Sequence, residues 1–220
     1  MSVEWYENDD WSEEAQHIFV TKIARARNQK PHYLRRKAQA IAPKHPDSAE
    51  SLFERALDCG DELETVRAFQ ARAAARIARG EIERGLDDLI ACADFQRESS
   101  TWVFSTCGWD LALNAGVNRR AAYYDAALKI LGPPDGIPES AFAAHAGMAF
   151  IYYDRGDLEA ASQAAKTALR RATMTGEVAP GFPVARIAPF PDPLYDRLMV
   201  IANLWDEATL GQQPAIWPTD

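Results

Sequence analysis

Phe142–Thr173 reads FAAHAGMAFIYYDRGDLEAASQAAKTALRRAT. It divides into two helical segments folded back on each other across a tight Arg155-Gly156-Asp157 turn. Ala161, Ala165 and Ala168 recur at spacings of four and three, which puts them on one face of a helix. With Ala149 on the preceding segment, they let two antiparallel helices approach closely. Gly156 can take a positive φ and stop the first helix. Asp157 can accept backbone N–H bonds and start the second. One such pair cannot bury its own apolar face, so neighbouring pairs are required.

A weaker copy lies upstream, Val66 to Phe95, VRAFQARAAARIARGEIERGLDDLIACADF. Phe69 and Ala73 precede its turn at Gly80, and the small or apolar Gly85, Leu89 and Cys92 follow it. The interval between Gly80 and Gly156 leaves room for one further pair. The Phe142–Thr173 unit resembles the tetratricopeptide repeat, a helix–turn–helix unit of about 34 residues. Ala149 takes the small position of its first helix and Tyr152 the aromatic one. Gly156-Asp157 is the turn, and Ala161 and Ala168 are the alanines of the second helix. It departs from the pattern at His145, in place of a tryptophan, at Ala165, in place of a large aromatic, and at Thr173, in place of a proline. WYENDDWSEEAQ near the start and GFPVARI near the end also look similar to a group of uncharacterised bacterial proteins with these repeats.

The remaining elements follow the same grammar. Asp10 to Asn28 reads as a first helix capped by Asp10, with Trp11, Ala15, Ile18, Phe19, Ile23 and Ala26 as its apolar stripe. Pro31 suits the first turn of a second helix ending near Ala42, with Leu34, Ala38 and Ile41 inward. Asp47 is expected to cap a third, with Ala49, Leu52, Phe53, Ala56 and Leu57 inward. Asp61, with Glu64 behind it, starts the pair spanning 62–98. Further helices are expected over Thr101–Ala115, with Trp102, Phe104, Trp109 and Leu113, and over Arg119–Leu131. Gly116-Val117-Asn118 forms the turn between them, and a loop runs from Gly132 to Pro138. Gly176 to Pro193 holds five of the 13 prolines and excludes a long helix or central strand. Its Phe182, Val184, Ile187 and Phe190 are expected to lie against the helices. Leu194 to about Ala208, with Leu198, Ala202 and Trp205, reads as a capping helix, and the tail beyond it, with Pro214, Trp217 and Pro218, as irregular.

The expectation is therefore an all-α chain, a right-handed α-solenoid of roughly four helix pairs like tetratricopeptide repeats. Within one domain, 1–30 form an N-terminal arm and helix, 31–175 the repeats, and 176–220 the proline-rich segment and cap. The 220 residues are 47% hydrophobic and 25% charged, in the ordinary globular range. No apolar run reaches the ~18 residues of a membrane span, and the acidic, polar start is no secretory signal. Cys59, Cys92 and Cys107, an odd set at unrelated spacings, suggest reduced thiols in the cytoplasm.

The net charge of −8 is unevenly placed: residues 1–14 hold six acids and no base, and residues 15–46 hold eight bases and no acid. A basic run can follow phosphates. Here it shares helices that also need a solvated face, the acidic arm is adjacent, and the whole protein is acidic, so nucleic acid is disfavoured; a plain solvated face is the leading expectation and an acidic protein partner the alternative. No phosphate-binding glycine loop, HExxH, paired CxxC or GxSxG occurs. His17, His32, His45 and His145 are scattered away from metal-ligand spacing, His145 reads as a packed core histidine, and Asp87-Asp88 as a solvated face. No catalytic residue, metal or cofactor is expected.

The resemblance supplies the site. In tetratricopeptide arrays the first helices line a concave groove that holds peptides or partner proteins. By position these are Arg67, Gln70, Ala74 and Ile77 in the weaker copy, with Phe150 and Tyr153 in the stronger one. The alternative is that Phe150 and Tyr153 are buried under the proline-rich segment or the last helix. A non-catalytic scaffold that binds a protein or peptide is the leading expectation. The alternatives are a small-molecule sensor or enzyme with a pocket between the repeats and the cap, and a toxin-neutralising immunity protein.

Overall fold

The computed structural model describes residues 4–99, 105–137, 141–173, 177–179, 182–183 and 192–207. They are nearly all helical, and they fall into two compact units, Met1–Cys107 and Gly108–Asp220. Thr101, Trp102, Phe104, Val184, Ile187, Phe190 and the tail from Ala208, all singled out above, lie outside the described residues, as do the side chains of Phe182 and Trp205.

The first unit contains α1 (Glu13–Arg25), α2 (Lys30–Ile41), α3 (Pro46–Leu57), α4 (Glu62–Ala78) and α5 (Ile82–Glu98). Its core joins Phe19 and Ile23 of α1 to Leu34, Ala38 and Ile41 of α2 and to Ala49, Leu52, Phe53 and Ala56 of α3, with Ala68 and Ala71 of α4 closing it. The alternation of large and small residues fits helices packed closely in antiparallel pairs. Trp5, Tyr6 and Trp11 pack on this core from the N-terminal arm.

Two expected caps are corrected. Ser12, not Asp10, caps α1, its hydroxyl accepting the Ala15 N–H, while Asp10 accepts the N–H of Ser12. The α3 helix begins at Pro46 without a side-chain cap, because proline at the first position already lacks a donor and carries a helical φ. Asp61 and Asp157 do cap, accepting the N–H of Glu64 and Ala160 at 2.8 and 3.1 Å.

The cysteine expectation is also corrected. Cys92 of α5 and Cys107 form a disulfide with Cα atoms 6.4 Å apart, leaving Cys59 as an exposed free thiol. An odd number of cysteines does not exclude one bridge, and this separation lies within the range a disulfide spans.

The second unit contains α6 (Cys107–Val117, all but its first residue), α7 (Tyr124–Leu131), α8 (Phe142–Asp154), α9 (Leu158–Thr173) and α10 (Asp192–Glu207). A short antiparallel pair, β1 (Glu177–Ala179) and β2 (Phe182–Pro183), stands within the proline-rich segment. The α6 helix runs through Gly116, where a turn was expected, and the chain turns instead at Arg119, a non-glycine with φ 53°. The expected Arg119–Leu131 helix is shorter, a single 3-10 turn at Ala121–Tyr123 followed by α7. Tyr124 donates its buried hydroxyl to Asp154, which also accepts from Arg119. Its pKa is raised by burial and by that carboxylate.

The core of this unit is built from the stretch quoted first. Ala149, Ala161, Ala165 and Ala168 are fully buried, and Leu198, Ile201 and Ala202 of α10 cover them. Ser162 of α9 donates to the Ala202 carbonyl at 2.7 Å, fixing α10 along α9.

Two of the helix turns are the same structure. Gly80 and Gly156 both take a positive φ, 83° and 80°. After α4, Gly80 N–H donates to Ile77 and Glu81 N–H to Arg76; after α8, Gly156 N–H donates to Tyr153 and Asp157 N–H to Tyr152. Both are the six-to-one and five-to-two pattern that satisfies the last carbonyls of a helix.

Candidate functional site

The α4 helix was expected to offer a binding surface, and its solvent side is defined by what its other sides hold. Val66, Ala68, Ala71 and Ala73 are buried. Leu63, Arg67, Ala74 and Ala78 are exposed and follow at spacings of four, seven and four, which places them along one stripe.

Arg67 stands in the middle of that stripe, donating to Glu64 at 2.9 Å. Glu64 is itself buried and accepts from Arg35 of α2 at 2.7 Å, with His32 beside it at 3.4 Å. Burial alone would raise the Glu64 carboxyl; the hydrogen bond and charge of Arg35, helped by Arg67 and His32, outweigh it and hold the group below the usual carboxylate range. Gln70 is half-buried and donates to the Thr106 hydroxyl at 3.0 Å. Ile77 is partly covered and packs against Gly85 of α5, where an added Cβ would meet its side chain at 2.5 Å. Of the four positions expected on α4, Arg67 and Ala74 are thus presented to solvent, Gln70 partly so, and Ile77 is engaged in helix packing.

Phe150 and Tyr153 belong to the second unit. Phe150 is 0% exposed, with the Arg197 guanidinium of α10 lying 4.5 Å from its ring centroid. This corrects its placement as a groove side chain: α10 occupies that face, and the cation meets the ring face favourably. Tyr153 is half-buried against the same core. Its hydroxyl pKa is raised, chiefly by burial.

Asp88 corrects a further expectation. It is 3% exposed rather than solvated, and it accepts from Arg72 through both carboxylate oxygens at 3.0 and 2.7 Å and from Arg76 at 2.8 Å. Arg76 also pairs with Glu50 of α3, so one buried cluster ties α3, α4 and α5 together. Only its neighbour Asp87 is exposed. The signal available in the sequence was the spacing of Arg72 and Arg76, one turn apart on a helix rich in alanine.

The second half of the basic run is answered inside the molecule. Glu7 accepts from Arg36, and Asp9 pairs with Lys44, whose hydrogen bond and charge hold the Asp9 carboxyl below its usual range. Lys37 is 1% exposed; its Nζ donates to the Asn8 carbonyl at 3.0 Å, the Asn8 side chain at 2.6 Å and the Asp10 carbonyl at 2.8 Å. Burial lowers the Lys37 pKa. The acidic arm therefore lies on the basic face of α2 and neutralises part of it.

Among the described residues no cluster of His, Cys, Asp and Glu is arranged to hold a metal ion, and no helix is long and apolar enough to cross a membrane. No family model, curated protein or solved structure matches this chain.

Proposed function

We propose that the chain is a non-catalytic helical-repeat scaffold that binds a protein or peptide, with the exposed stripe of α4 as its contact surface. The observation that carries this reading is the stripe itself, Leu63, Arg67, Ala74 and Ala78. It is apolar or small at three positions, with one arginine held in place by Glu64. A low-charge helix face with an arginine paired to Glu64 suits docking of an extended or helical segment, because arginine and apolar anchors supply much of the energy at interfaces. The shared turn geometry at Gly80 and Gly156 supports the repeat reading. Phe150, fully buried, forms no part of the surface; half-buried Tyr153 stays a secondary candidate in its own unit.

The test is capture of partners from source-cell lysate by the wild-type chain and by an Arg67→Ala/Ala74→Glu variant of matched circular dichroism and Tm. Both positions are exposed, so the variant is expected to fold. A partner bound by the wild type and lost by the variant, then reproduced with purified components, supports the α4 surface. A purified partner held equally by both excludes it.

A further inference from the structure

A recess of about 710 Å³ opens in the first unit between the loop joining α1 to α2 and the loop joining α3 to α4. Arg27, Asn28 and Lys30 line it from one side, and Arg55, Asp58 and Asp61 from the other, over a floor that includes the buried Pro31. Three cations, Arg27, Lys30 and Arg55, meet in it. Arg35, Arg36, Lys44, Arg67, Arg72 and Arg76 each have a carboxylate partner. Among the described residues Arg27, Lys30 and Arg55 form no ion pair, although two aspartates share their recess. Asp61 is engaged elsewhere, accepting the Glu64 N–H at the start of α4.

We propose that this recess binds a small phosphate monoester. The two guanidinium groups present planar forks that match phosphate oxygens, and Lys30 adds a compact charge. The volume is in the range of pockets for small organic ligands rather than a bare ion. Asp58, exposed and at the end of α3, is placed to accept from hydroxyls or amines on the ester's organic part. The site is distinct from the α4 stripe and does not depend on the protein-binding reading.

Ribose 5-phosphate is the probe, titrated into isotope-labelled full-length chain at constant ionic strength, since exposed charges are screened by salt. Saturable shifts are expected at the Asn28 and Gly60 amides. Arg27→Gln/Arg55→Gln is expected to weaken binding at least tenfold. Arg25→Gln, an exposed cation outside the recess, is expected to leave it unchanged. Inorganic phosphate should bind more weakly than the ester, and ribose without phosphate should not bind. Shifts that fail to saturate, equal loss on Arg25→Gln, or equal affinity for phosphate and ester would each overturn the proposal. All three substitutions remove unpaired surface charges, so folding is not at stake.

Discussion

Gly147 of α8 lies against the backbone of Ala112 on α6: a Cβ there would come 2.3 Å from the Ala112 carbonyl carbon and 2.4 Å from the Leu113 nitrogen. Gly116 of α6 completes the contact, since its own Cβ would meet the Gly147 carbonyl oxygen at 2.9 Å. The obstacle is main chain, which has no rotamer with which to move aside. Gly147→Ala is expected to destabilise by about 3 kcal/mol, towards the upper end of overpacking effects. Gly60→Ala, with open space around it and φ 72°, is expected to cost about 1 kcal/mol from backbone strain alone. Urea denaturation of both variants measures the difference, and equal costs would contradict the close approach.

Two carboxylates paired with arginines, Glu64 buried and Glu50 half-buried, set an acid limit. Glu64 and Glu50 both sit below the usual carboxylate range in the folded chain: burial opposes this, and their arginine partners, Arg35 and Arg76 foremost, outweigh it. The unfolded chain then takes up protons first. Their stabilisation is complete above the ordinary carboxylate pKa of about 4.3 and is lost as pH falls through the lower folded values. Glu64→Gln is expected to cost about 3 kcal/mol at pH 7, because it leaves Arg35 buried without its counter-charge. It should also flatten the loss of stability below about pH 4.5. Urea midpoints measured from pH 3 to pH 7 test both; an unchanged acid slope would show that Glu64 is not the titrating group.

Lys37 is the anchor of the N-terminal arm. Lys37→Met removes the donor shared by the Asn8 and Asp10 carbonyls, a loss of about 1–3 kcal/mol for buried groups left unpaired. Amide hydrogen exchange over Trp5–Asp10 is expected to accelerate about tenfold or more. Arg36→Gln breaks a half-exposed pair with Glu7 and should change exchange far less, since such pairs are worth under about 1 kcal/mol. Equal effects would remove Lys37 from this role.

The Cys92–Cys107 bridge closes a loop with a sequence separation of 15. By chain entropy its loss should cost about 3 kcal/mol. Thiol titration of the native chain is expected to find one reactive group, Cys59, and all three cysteines after unfolding and reduction. More than one in the oxidised native protein would contradict the bridge.

The sequence by itself determined that the chain is helical and where most helices begin and end. Those features depend on neighbours in the chain: the glycine turns at Gly80 and Gly156, the caps at Asp61 and Asp157, and the three-and-four spacing of Ala161, Ala165 and Ala168. A helix bonds its backbone to itself, so local sequence suffices to specify it. Tertiary structure decided what each face meets. The same periodicity that puts Phe150 on one side of α8 cannot say whether solvent or α10 lies beyond it. Asp88 beside Asp87 looks solvated until Arg72 and Arg76 arrive from a different helix, and Cys92 finds Cys107 only once the chain has returned to it. The exposed side of α4 was half legible: the resemblance to a repeat singled out Arg67 and Ala74, which are exposed, but also Ile77, which is taken up by Gly85 of the neighbouring helix. Burial, ion pairing and disulfide bonding are relations between segments distant in sequence, and only the folded arrangement fixes them.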